Sequence, residues 1–128
     1  MLKTILCVAL GGMVGSVARY SLSEAAVRFL GNSFPYGTLF VNVLGCFAIG
    51  IFGGYGIPAI SETTRLLLIT GLLGALTTFS TFSWESIELM QNGKVASALT
   101  SIGLNLVVSL VAVYGGYLLG CAFKAESA

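Results

Sequence analysis

Four stretches of this chain carry no charged side chain: between Lys3 and Arg19, Arg28 and Glu62, Arg65 and Glu85, and Lys94 and Lys124. A hydrocarbon core of roughly 30 Å is crossed by about 20 helical residues at about 1.5 Å each. Each stretch belongs to an apolar segment of that length. Charged residues make up only 9% of the chain and hydrophobic residues 56%, with a mean hydropathy of +0.97. A soluble domain carries about 25% charged residues, so this composition cannot cover a water-facing surface. The sequence is that of an integral, all-α membrane protein.

The first span runs from about Leu2 to Leu22, or on to Phe29. "MLKTILCVALGGMVGS" resembles a signal peptide, but its apolar pattern continues past signal length and three more hydrophobic segments follow. "GNSFPYG" is a turn by composition, and Pro35 disfavours helix at Phe34. The second span runs from about Thr38 to Tyr55 and ends at "GIPA" near Pro58. The third starts near Ser61, where "SETT" resembles a helix cap, and continues to about Met90, where "QNGK" ends it with a glycine. The fourth runs from Val95 to about Phe123. Short connections make successive spans antiparallel neighbours within one domain over residues 1–128. Small-xxx-small pairs at Gly11/Gly15, Gly50/Gly54 and Gly116/Gly120 imply close helix packing.

Several functions are disfavoured at this level. The chain has no histidine, which removes the commonest general base and metal ligand. Cys7, Cys46 and Cys121 match no zinc or redox spacing and read as small apolar packing residues. A net charge of +1 gives no basic patch for nucleic acid. Glu85 and Glu88 fall near the end of the third span and read as interfacial, without a nucleophile nearby. Nothing points to an enzyme. Orientation is undetermined by charge, because Lys3, Arg65 and Lys124 on one side balance Arg19, Arg28 and Lys94 on the other. Such a tie leaves two readings open: orientation set by other details, or dual topology, in which copies insert both ways and pair.

Polar side chains inside the spans narrow the function. Asn42 is the polar residue of "TLFVNVLG" in the second span, either bonding between helices or offering amide N–H donors to a passing species. Ser97, Ser101, Asn105 and Ser109 recur every four residues on the fourth span and so form one narrow stripe. That stripe either zips two helices together or lines an uncharged polar track, which suits conduction. Arg19 is a snorkelling anchor, an electropositive vestibule, or both.

The third span is expected to break. In "GALTTFSTFSWE", Gly74 weakens helix, and Thr77, Thr78, Ser80 and Thr81 can bond back to the backbone. Carbonyls freed at membrane depth are ligands for a small hard cation. Phe79 and Phe82 lie on one face of the helix that follows. They are either core packing or positive ring edges offered to an anion.

With "GGMVGSVARY" in the first span, "GTLFVNVLGCFAIG" in the second and "GALTTFSTFSWE" in the third, the chain resembles the Fluc (CrcB) family of bacterial fluoride channels over essentially its whole length. The resemblance implies an antiparallel, dual-topology homodimer in the bacterial inner membrane, with two pores that passively export fluoride and protect against fluoride entering as HF. It implies Asn42 as the pore asparagine, Phe79 and Phe82 as the rings facing fluoride, and Ser80 and Thr81 as the polar side of the third helix. It further implies a structural sodium (Na+) at the dimer interface, held by the carbonyls of Gly74 and Thr77, and Arg19 as the basic residue of the first span. Ser101, Asn105 and Ser109 take the fourth-span track by spacing more than by identity. The main rival, a small multidrug antiporter, needs a carboxylate deep in a span. Glu24 lies near the end of the first span, and no other span has a central acid. A membrane scaffold is the third alternative, disfavoured by the asparagine and serine stripe.

Overall fold

The structure is a computed structural model that describes residues 1–126. Its four long helices, Leu2–Leu30, Tyr36–Tyr55, Glu62–Gln91 and Val95–Glu126, are each long and apolar enough to cross a membrane. The first span takes the longer of the two expected lengths. The fourth continues three residues beyond Phe123 and carries Lys124 in its last turn, where a cation complements the helix dipole. Gly31 and Gly93 end the first and third helices with φ of 84° and 73°, a left-handed conformation that only glycine adopts freely. Ser61 caps the third span by accepting a hydrogen bond from the Thr64 N–H at 3.2 Å.

Glycine pairs hold the bundle together by letting backbone meet backbone. A methyl group at Gly50 or Gly54 would overlap the carbonyl of Val113 or Tyr117. Reciprocally, one at Gly116 or Gly120 would overlap the carbonyl of Phe47 or Ile51. The second and fourth spans therefore interlock along two turns and make the most extensive contact in the chain. The first span docks on the third in the same manner, with Gly11 and Gly15 against the carbonyls of Leu67 and Leu72. Lipid is as apolar as leucine, so close van der Waals contact must do here what water expulsion does in soluble proteins. The apolar core is correspondingly small. Val41, Leu73 and Leu76 form it, flanked by Ala18, Leu22, Ala48, Phe52 and Leu72.

The third span departs most from regularity. After an α-helical turn at Glu62–Thr64, the segment Arg65–Leu73 is wound as a π-helix, a rare form that sequence pattern does not signal. An α-helical turn at Gly74–Leu76 follows, and α-helix resumes over Phe79–Gln91. The break itself is confined to Thr77 and Thr78, which adopt extended dihedrals. Gly74, expected to begin the break, is helical, with φ −62° and ψ −32°. The threonines break the helix because their own side chains and a neighbouring span take over the backbone partners.

The interlock yields a direct prediction. Gly116→Leu should destabilise the folded protein by about 2 kcal/mol or more, through overpacking against the Phe47 carbonyl. Gly115→Ala, facing open space, should change stability by no more than about 0.5 kcal/mol. Thermal unfolding in detergent, followed by the monodisperse fraction on gel filtration, checks both; equal stability of the two variants would dissolve the interlock argument.

Candidate functional site

Extended backbone at Thr77 and Thr78 leaves polar groups that lipid cannot satisfy. Asn42 of the second span supplies the repair. Its Oδ1 accepts from the Thr78 N–H at 2.8 Å, and its Nδ2 donates to the Thr78 carbonyl at 3.2 Å. The amide thus closes on both faces of one peptide residue, as a neighbouring strand would. Thr78 also caps the helix that follows, its Oγ1 accepting from the Thr81 N–H at 3.2 Å. The same hydroxyl donates to Thr81 Oγ1 at 3.0 Å and lies 3.3 Å from Ser80 Oγ.

These bonds have a consequence for two carbonyls. In a continuous α-helix the Thr78 N–H would close on the Gly74 carbonyl, and the Thr81 N–H on the Thr77 carbonyl. Here Asn42 captures the first donor and the Thr78 hydroxyl the second. Gly74 and Thr77, the two positions named for cation ligation, are the ones whose carbonyls lose their helical donors. Thr77 adds a bond from its hydroxyl to the Leu73 carbonyl at 3.1 Å, and its methyl seats against Gly45.

Asn42 reaches on to the fourth span, donating from Nδ2 to Asn105 Oδ1 at 3.0 Å. Asn105 in turn donates to the carbonyl of Ser101 at 3.0 Å. Beside this chain of bonds lies a cavity of about 340 Å³ between the second, third and fourth spans. Asn42, Thr78, Asn105 and Ser109 give it polar character, and Phe79 and Phe82 form an aromatic wall. The two ring centroids are 5.4 Å apart and tilted by 60°, so an edge of one approaches a face of the other. Phe82 is buried, whereas Phe79 is 74% exposed. Ser109 Oγ is buried without a hydrogen-bond partner, a cost that calls for a ligand or water. No lining residue is ionisable except Cys46.

The expected site residues therefore divide. Asn42, Gly74, Thr77, Phe79, Phe82, Asn105 and Ser109 share one cavity. Ser101 is buried and contributes its carbonyl from behind Asn105. Ser80 and Thr81 are exposed and belong to the Thr78 cap. Arg19, half-buried on the first span, lies outside the cavity. Glu85, read as interfacial, accepts from the Thr38 hydroxyl at 2.9 Å, and its Oε2 is buried without a partner. With Glu88 and Lys94 it faces a second hollow of about 330 Å³ near the end of the bundle. Thr38 was not singled out from sequence. A hydroxyl at the start of a span gives no local sign of a partner 47 residues away.

Comparison with known proteins agrees with this arrangement. Residues 6–117 match the family described as CrcB-like protein, Camphor Resistance (CrcB). A fluoride-specific ion channel FluC of Dehalococcoides mccartyi is 44% identical over 125 residues, 96% of each chain. The FluC of Shewanella loihica is 47% identical over 116 residues, 90% of this chain and 94% of that one. That of Aquifex aeolicus is 46% identical over 119 residues, 91% and 95% of the two chains. All three are named as ion channels rather than enzymes, in keeping with the absence of catalytic chemistry in the sequence. With four membrane-length helices and this similarity along nine-tenths or more of its length, the chain is a multi-pass membrane protein and belongs to the CrcB-like family.

Proposed function

We propose that this chain is a fluoride-selective channel that lets fluoride leave the cytoplasm passively, and so protects a bacterial cell against fluoride taken up as HF. The lining of the 340 Å³ cavity carries this reading. An anion entering it meets neutral amide and hydroxyl groups and the edges of two aromatic rings, with no fixed positive charge. Hydrogen-bond donors replace the water that a small anion sheds, and ring edges add a weak positive potential. Conduction needs binding strong enough to admit the ion and weak enough to release it, which a lysine in the cavity would prevent. The names of the relatives from Dehalococcoides, Shewanella and Aquifex supply the identity of the ion.

The working unit is an antiparallel homodimer with two pores, in the inner membrane. Two features favour it. The even balance of Lys3, Arg65 and Lys124 against Arg19, Arg28 and Lys94 gives neither orientation an advantage. Phe79 at 74% exposure and the exposed Gly74 leave one side of the site uncovered, as a second copy would require. Arg19 serves as the basic group of a vestibule, where it raises the local anion concentration. The freed carbonyls of Gly74 and Thr77 would hold a sodium ion at the dimer axis, where the hard cation supplies the charge that satisfies them. Hard oxygen donors fit a hard cation, and nothing about the break requires a softer metal.

Reconstituted in liposomes, the wild-type protein should release fluoride far faster than chloride; well-folded protein without fluoride efflux would refute the channel reading. Phe82→Ile should remove about 1 kcal/mol of ring-edge interaction, slowing flux about fivefold with the dimer intact. Unchanged flux would reduce Phe82 to packing. Reporter fusions at the C-terminus should divide between both sides of the membrane, and a single orientation would exclude dual topology. Crystals grown in sodium should show a cation peak within ligand distance of the Gly74 and Thr77 carbonyls that weakens on lithium exchange. Two crystals without such a peak would remove sodium from the account.

A further inference from the structure

The hydrogen bonds around Asn42 form a relay whose direction is fixed at both ends by the backbone. At one end the Thr78 N–H can only donate, so the atom of Asn42 that faces it is the oxygen. Nδ2 then points the other way, donating to the Thr78 carbonyl and to Asn105 Oδ1. At the far end the Ser101 carbonyl can only accept, so Asn105 must present its nitrogen there. The two ends agree on one orientation for both amides. A side-chain amide nitrogen carries two N–H donors. Asn42 spends one on Thr78 and the other on Asn105. Asn105 spends one on Ser101 and keeps the second, beside the cavity that it lines. One turn further along the same helix, Ser109 Oγ is buried and unpartnered.

We infer that Asn42 is a positioning residue rather than an anion ligand, and that the donors an anion meets are the free N–H of Asn105 and the hydroxyl of Ser109. The inference rests on the channel reading above and assigns the roles within that site. By occupying Asn105 Oδ1, Asn42 holds the Asn105 carbonyl away from the cavity and turns its amide nitrogen toward it. Without that bond the Asn105 side chain can rotate its carbonyl into the path, where the oxygen's partial negative charge repels an anion. Asn42 therefore acts on the ion through Asn105, and at the same time patches the helix break at Thr78. Both functions use the same two N–H donors, which leaves none for the ion.

A double-substitution cycle separates positioning from ligation. Fluoride efflux from liposomes is measured for wild type, Asn42→Ala, Asn105→Val and the double variant, each normalised to folded protein by gel filtration. Either single change should cut flux about tenfold, the loss expected for one hydrogen bond to a charged group. If Asn42 works through Asn105, the double variant should be no slower than the slower single, within about twofold. Independent ligands would instead multiply to a loss of about a hundredfold, which would overturn the inference. Asn105→Asp and Asn105→Ser keep the test decisive should Asn42→Ala not fold. Aspartate still accepts from Asn42 but has no donor, and should abolish flux. Serine can both accept and donate, and should retain flux within about threefold of wild type. Wild-type flux in Asn105→Asp, or loss of flux in folded Asn105→Ser, would overturn the assignment. A wild-type protein that passes no fluoride would sink the channel reading and this inference together, whereas a conducting wild type with an additive cycle would sink only the inference.

Discussion

The structure turns on backbone groups that have no helical partner in a solvent that cannot supply one. Two residues of the third span, Thr77 and Thr78, leave the helix at a depth where water is absent. The amide of Asn42 answers that deficit on both faces of Thr78, and the Thr78 hydroxyl answers it for the helix that resumes at Phe79. Neither repair returns a donor to Gly74 or Thr77. The break is thus stabilised in a way that moves the shortage of hydrogen bonds onto two particular carbonyls. Polar groups concentrate near one point of an otherwise apolar bundle, and the cavity forms beside it.

Placing that break depends on contacts made by backbone rather than by large side chains. The first span lays Gly11 and Gly15 on the carbonyls of Leu67 and Leu72, inside the π-wound segment that leads to the break. The second and fourth spans interlock through four glycines. This interlock sets the distance at which Asn42 and Asn105 can meet at 3.0 Å. A methyl group at any of these glycines must push a helix outward. Close approach therefore contributes stability in lipid and also fixes the reach of the amide relay. The same glycines serve both ends.

Chemical character in the cavity follows from what is left over after the fold is satisfied. Asn42, the most conspicuous polar residue of the second span, has no donor to spare. Ser80 and Thr81 are taken up by the Thr78 cap. The groups that remain are one amide hydrogen of Asn105, the Ser109 hydroxyl and the edges of Phe79 and Phe82. All are electropositive at the surface they offer and none carries a full charge. A site of this kind discriminates by hydrogen bonding and shape, and releases what it binds.

Much of this was legible in the chain before any fold was considered. Apolar length and scarce charge determined four spans, because a bilayer imposes a minimum helix length and penalises charge. Turn glycines and the Ser61 cap placed the ends, since left-handed dihedrals and orphan N–H groups are local requirements. The clustered hydroxyls of "GALTTFSTFSWE" located the break to within a few residues, and the four-residue period put Ser101, Asn105 and Ser109 on one face. Which partner each polar group takes was decided only by tertiary structure. Asn42 lies 36 residues from Thr78 and 63 from Asn105. Thr38 lies 47 from Glu85. Periodicity fixes the face on which a side chain sits, but a hydrogen bond depends on how far apart two helices settle. That distance is set by glycines on other spans, so the division between structural and available donors exists only once the helices have packed.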